Sequence, residues 1–159
     1  MVSKLHSVIS DLAGQRCWKS EFAYGDELTL HFGRRSRIRH PKLPDETEGE
    51  WILGTCGTAW SLFTPTGIVR SRAEVTKDIE QSVKAIENSK VTEIDVSIPG
   101  NILTLTFSNG CLFRILPTIS KEDVSDEVPS WELFMPGNMF VAFGPGTRWS
   151  LKRADVPEA

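Results

Sequence analysis

The chain has 159 residues, 40% of them hydrophobic and 25% charged, with a formal net charge of −3. That length and mix suit one globular domain with a real core, and no apolar run approaches the roughly 20 residues that a membrane helix needs. The acidic balance speaks against general nucleic-acid binding. Cys17, Cys56 and Cys111, odd in number, widely spaced and outside any Cys-x-x-Cys pair, speak against a disulfide framework or a zinc site.

Met1 to Leu12 lacks a basic region followed by an apolar block, so it predicts no secretion signal, and a cytoplasmic location is expected. Val2 to Ala13 instead reads as a short helix, with Leu5, Val8, Ile9 and Leu12 on one face and Gly14 as its stop. Cys17 to Tyr24 and Glu27 to Gly33 follow as a hairpin turned at Tyr24-Gly25-Asp26. In its second strand Leu28, Leu30 and Phe32 alternate with Thr29 and His31, which predicts a buried face and a wet one carrying an exposed His31. Ser36 to Gly49 reads as a polar loop, and Trp51 to Leu53 and Thr58 to Phe63 as strands. Ala73 to Asn88 is the strongest predicted helix, with Val75, Ile79, Val83 and Ile86 as its buried stripe. Val91 to Ile98, Ile102 to Phe107 and Cys111 to Leu116 then read as strands, the last two joined at Ser108-Asn109-Gly110. Trp131 to Phe134, Met139 to Phe143 and Arg148 to Lys152 close the sheet.

Much of this pattern occurs twice. Gly57-Thr58-Ala59-Trp60-Ser61-Leu62 returns as Gly146-Thr147-Arg148-Trp149-Ser150-Leu151, and Leu28-Thr29-Leu30-His31-Phe32 as Leu103-Thr104-Leu105-Thr106-Phe107. Ser7-Val8 and Ser82-Val83 keep the offset of the Leu-Thr-Leu strands. The expected fold is α+β: an internally duplicated helix–hairpin–hairpin unit forming a mainly antiparallel sheet, barrel-like or sandwich, with two helices. One domain is expected from two repeats, about 1–71 and 72–153, around one core, with 154–159 as a frayed tail. Met135 to Phe143 reads as an insertion that breaks the symmetry.

The sharpest local feature is the basic run Arg34-Arg35-Ser36-Arg37-Ile38-Arg39-His40. Guanidinium forks bind carboxylate or phosphate in a bidentate way, so Arg34, Arg35, Arg37, Arg39 and His40 are candidate binding residues. The opposing reading is a loop neutralised in place by Asp45, Glu46, Glu48 and Glu50. Met135, Met139 and Phe140 in the asymmetric segment are a second candidate surface. Four tryptophans, Trp51, Trp60, Trp131 and Trp149, read as core, and Trp18 as a surface candidate. The histidines show no metal or triad spacing and no glycine run matches a phosphate loop, so no catalytic residue, metal or cofactor is expected.

The closing pattern, Trp131-Glu132-Leu133-Phe134 through Phe143-Gly144-Pro145-Gly146 to Trp149, resembles that of small bacterial proteins conserved without assigned function. The element Leu103-Thr104-Leu105-Thr106-Phe107-Ser108-Asn109-Gly110 resembles a strand–turn unit of several such families, some of them immunity-type proteins of toxin systems. The resemblance implies a non-enzymatic module that binds a protein partner in the bacterial cytosol. The alternative is a small-molecule-binding or enzymatic domain with its site in the cleft between the repeats, and a third reading is a homodimer or larger homo-oligomer.

Overall fold

A computed structural model describes residues 2–22, 27–37, 47–56, 58–71, 76–97, 102–116, 129–144 and 148–153. The first helix, α1 (Val2–Ile9), runs into a 3-10 turn at Ser10–Leu12 and then into β1 (Arg16–Phe22). β2 (Leu28–Arg37), β3 (Thr47–Gly54), β4 (Ala59–Thr64) and β5 (Gly67–Arg70) follow. The second helix, α2 (Lys77–Val83), again runs into a 3-10 turn, at Lys84–Ile86. The chain continues through β6 (Ser89–Ser97), β7 (Ile102–Phe107), β8 (Leu112–Leu116), β9 (Trp131–Met135), β10 (Met139–Phe143) and β11 (Trp149–Arg153).

These strands form one antiparallel sheet in the order β11-β10-β9-β3-β2-β1-β6-β7-β8-β4-β5. The expected balanced α+β class is therefore corrected to a β-rich fold, and the expected barrel or sandwich to an open sheet ending at β11 and β5. The shortfall is in the helices. Ala73 to Asn88 does not form one long helix: Thr76 caps α2 by accepting the Ile79 amide at 3.3 Å, and the helix tightens after Val83. Val75 lies outside the described residues. Only Val83 and Ile86 of the predicted stripe are fully buried, while Ile79 is partly so.

The core lies on one face of the sheet, because alternation along each strand turns its large apolar residues the same way. Leu28, Leu30 and Phe32, Trp51 and Leu53, Leu103, Leu105 and Phe107, and Phe113 and Ile115 are all buried. Leu5, Ile9, Leu12, Val83 and Ile86 cover this face from the helical segments. The sheet is curled: the Phe22 ring on β1 lies 6.0 Å from that of Trp60 on β4, although β6, β7 and β8 lie between those strands.

The strand registers repeat about the β1/β6 seam. β1 against β2 shifts register between Cys17 and Lys19, and β6 against β7 shifts between Val91 and Glu93. Outside the shift, Phe22 faces Leu28 as Val96 faces Leu103. At the seam the Gly14 amide donates to the Val91 carbonyl, and the Asn88 amide donates to the Cys17 carbonyl, both at 2.6 Å. Gly14 and Asn88 both take positive φ, +93° and +70°. These pairings match Ile9 with Val83, so the Ser7-Val8 and Ser82-Val83 match is displaced by one residue.

A second correction concerns the repeated hexapeptide. Leu53 of β3 faces Leu133 of β9, and Phe113 of β8 faces Leu62 of β4. The registers thus match Trp60-Ser61-Leu62-Phe63 with Trp131-Glu132-Leu133-Phe134, and β5 with β10. Met135 to Phe143 is therefore a counterpart of the β4–β5 turn and strand, not an insertion. The strand without a counterpart is β11, which carries the second hexapeptide.

Trp60 and Trp131 are 1% and 0% exposed, whereas Trp149 on the edge strand is only half-buried. Trp60→Ala and Trp131→Ala should each cost about 3–5 kcal/mol in urea unfolding. Trp149→Ala should cost roughly 1–2 kcal/mol. Equal losses at all three positions would contradict this ordering of burial.

Candidate binding face

The face of the sheet opposite the core carries the residues of interest. Cross-strand pairing runs unbroken across six strands: Lys19 with His31, His31 with Ile52, Ile52 with Phe134, Phe134 with Phe140, and Phe140 with Lys152. One row thus joins β2, at His31 just before its basic end, to the β9–β10 hairpin, two segments far apart in sequence.

The basic run is not a loop throughout. Arg34 and Arg35 lie on β2, and Arg37 ends that strand with its side chain outside the described residues. Arg39 and His40 also lie outside the described residues, as do Asp45 and Glu46. β2 and β3 continue their pairing past Phe32 through a bulge, so that Arg35 faces Gly49 and Ser36 faces Glu48. Gly33, at φ +79°, turns the chain in this bulge. The Arg34 amide donates to Glu50 Oε1 at 3.1 Å. Among the described residues no carboxylate forms an ion pair with the guanidinium of Arg34 or Arg35.

Arg35 instead lies over the Trp18 ring, its Cζ 4.5 Å from the centroid. Trp18 in turn packs against His31, with ring centroids 5.6 Å apart. This stack corrects the reading of His31 as exposed: it points away from the core as expected, but is only 4% exposed beneath Trp18. Both its ring nitrogens are engaged. The Gly49 amide donates to Nδ1 at 3.1 Å, so Nε2 carries the hydrogen and donates to Glu21 Oε1 at 2.8 Å. Glu21 Oε2 lies 3.4 Å from Lys19 Nζ, which also donates to the Thr47 carbonyl at 3.3 Å. Gly49 can be nothing larger: a Cβ there would stand 2.6 Å from the Phe32 carbonyl oxygen. A histidine held at both nitrogens is a brace between β1, β2 and β3 and offers no free ring nitrogen to a substrate.

At the other end of the row, Phe134 and Phe140 stack with centroids 5.4 Å apart. They border a shallow groove of about 440 Å³ that also meets Trp149, Glu132, Arg148 and Lys152. Phe134 is 37% exposed. Phe140 and Met139 are half-buried, and Met135 packs against the core. The β9–β10 hairpin therefore presents Phe134 and Phe140, with Met135 as part of their support. Sequence reading missed Lys19, Glu21, Ile52 and Phe134 as members of this face.

The matching row in the other half runs Glu93, Thr106, Leu112, Phe63, Ile68. Its apolar part is retained, and Arg114 lies 5.3 Å over Phe63. Glu93 takes the place of Lys19, Thr106 that of His31 and Asp95 that of Glu21, so the histidine brace belongs to one half alone.

The thiols are not activated nucleophiles. Burial pushes Cys17 up to about 12, and burial with the Glu132 and Glu27 carboxylates does the same to Cys56. Cys111 is also raised by burial. Among the described residues no group of three or more His, Cys, Asp or Glu is placed to hold a metal ion. Comparison with protein-family models, with curated proteins and with solved structures finds no match.

Burial acts to raise the Glu21 carboxyl, but the His31 hydrogen bond and the Lys19 ammonium outweigh it and hold it below its ordinary value. A depressed folded pKa stabilises fully above the unfolded value of about 4.3, and that stability is lost as pH falls through the folded value. Thermal unfolding of wild type and Glu21→Gln should therefore differ most near neutrality and converge in acid. Parallel curves across that range would remove Glu21 from the brace.

Proposed function

We propose that this chain is a non-enzymatic protein-binding module of the bacterial cytosol, engaging its partner through the outer face of β1, β2, β3, β9 and β10. The observation that carries the reading is the continuous row from Lys19 to Lys152, which puts the exposed Phe134 and its partner Phe140 on the face where Arg35 lies over Trp18, without a carboxylate partner among the described residues. Aromatic anchors ringed by arginine are the composition of protein-recognition patches. The resemblance of the Leu103–Gly110 element to a strand–turn unit of bacterial families, some of them immunity-type, supports a protein as the partner. No helix among the described residues is long and apolar enough to cross a membrane. A ligand site in a cleft between the halves has less support, because Leu12, Cys17, Ile86 and Val91 fill the seam and are at most 1% exposed.

The test is affinity capture from lysate of the source organism with native mass measurement, using wild type, Phe134→Glu and the double variant Arg34→Ser/Arg35→Ser. One stoichiometric protein should be held by wild type and lost from both variants. Loss of the Arg35–Trp18 contact should cost at most about 1 kcal/mol, so the double variant stays folded. Equal capture by all three proteins would clear this face of the role.

A further inference from the structure

Four strands of this chain carry Trp-x-Leu, and apart from β3, with Trp51-Ile52-Leu53, they use one register. Leu62 of β4 faces Val69 of β5, with the Ser71 amide donating to the Trp60 carbonyl just beyond. Leu133 of β9 faces Val141 of β10, with Trp131 facing Phe143. Leu151 of β11 faces the same Val141 from the other side, with Trp149 facing Phe143. β10 therefore holds a Trp-x-Leu strand on each edge, whereas its counterpart β5 holds one on a single edge and ends the sheet.

The open edge of β5 borders a groove of about 440 Å³ between Ile68, Val69 and Arg70 on one side and Thr76, Asp78 and Ile79 on the other. Ile68 is 52% exposed there. At the far end of the sheet β11 has its own open edge, with Leu151 42% exposed.

We propose that this groove receives β11 of a second copy of the chain, by antiparallel strand addition in the register that β11 already uses on β10. Leu151 then lies opposite Val69 and Trp149 opposite Ser71, with Lys152 opposite Ile68. Two features select this occupant. The hexapeptide that ends in β11 repeats, with one difference, the hexapeptide that leads into β4, the strand β5 already binds. The incoming strand is also basic, through Arg148 and Lys152, and Asp78 of α2 lines the groove to receive it, beside Arg70 of β5. Main-chain hydrogen bonds supply affinity in such an addition, and side chains on alternate positions supply selectivity. Because β11 and β5 are opposite ends of one sheet, the contact is head to tail and leaves an open edge at each end of a pair.

Light scattering across a concentration series tests this with wild type, Ile68→Lys, which sets like charges opposite each other at Lys152, and Leu151→Glu. Both positions are exposed, so both variants should keep the wild-type melting temperature. The mean mass of wild type should rise with concentration, and each variant alone should stay at one chain. Their equimolar mixture should reach two chains and stop, since Ile68→Lys keeps a competent β11 and Leu151→Glu a competent β5 edge. A wild type monomeric at millimolar concentration, single variants that associate like wild type, or a mixture that stays monomeric would each overturn the proposal.

Discussion

The arrangement of the whole molecule depends on the short seam between β1 and β6. Only Arg16–Lys90 and Cys17–Ser89 pair there, yet this contact joins six strands on one side to five on the other. Two reciprocal amide bonds reinforce it, from Gly14 to Val91 and from Asn88 to Cys17. Each amide is supplied by a residue in the left-handed region just after a 3-10 turn. Each such bond contributes about 0.5–1.5 kcal/mol, so helix end and strand start are held to one geometry. The register shifts beside Cys17 and Val91 bend the two central strands and let the sheet curl onto itself.

The outer face follows from that geometry. The bulge at Cys17–Lys19 is where Trp18 comes to lie over His31. His31 is then a buried polar group that must be satisfied, and the Gly49 amide and the Glu21 carboxylate satisfy it. The basic stem of β2–β3 is therefore anchored to the sheet by hydrogen bonds, and the Arg35 guanidinium is stacked over an aromatic ring. A rigid cation presented beside an aromatic strip loses less entropy on binding than one on a free loop.

The strands were legible to within a few residues because alternation is a local signal. Alternation over Ile102–Phe107 gives the observed limits of β7, and Trp60, Trp131, Leu28 and Leu30 fall on the buried face that alternation assigns. Pairing partners were not legible. Nothing local says that Ile52 neighbours Phe134, and without that contact the basic run and the hairpin look like separate surfaces. His31 was misread for the same reason, since its burial depends on a bulge and on Trp18 from another strand. The hexapeptide misled because Trp-x-Leu recurs as a strand-docking pattern as well as through the repeat. The helices fell short because apolar periodicity marks a face and is silent on where a 3-10 turn takes over.

The exchange of hairpins across the seam bears on how the chain folds. β4 and β5 complete the side of the sheet built from β6, β7 and β8, while β9 and β10 extend the side built from β1, β2 and β3. Neither half of the sequence contains all the strands of either side, so neither can bury its own apolar face. Nucleation must bring distant segments together before much surface is buried, which is the condition for slow, all-or-none folding. During synthesis the first half must wait with the edge of β3 uncovered until β9 emerges, and in that interval the nascent chain is open to strand exchange with its neighbours.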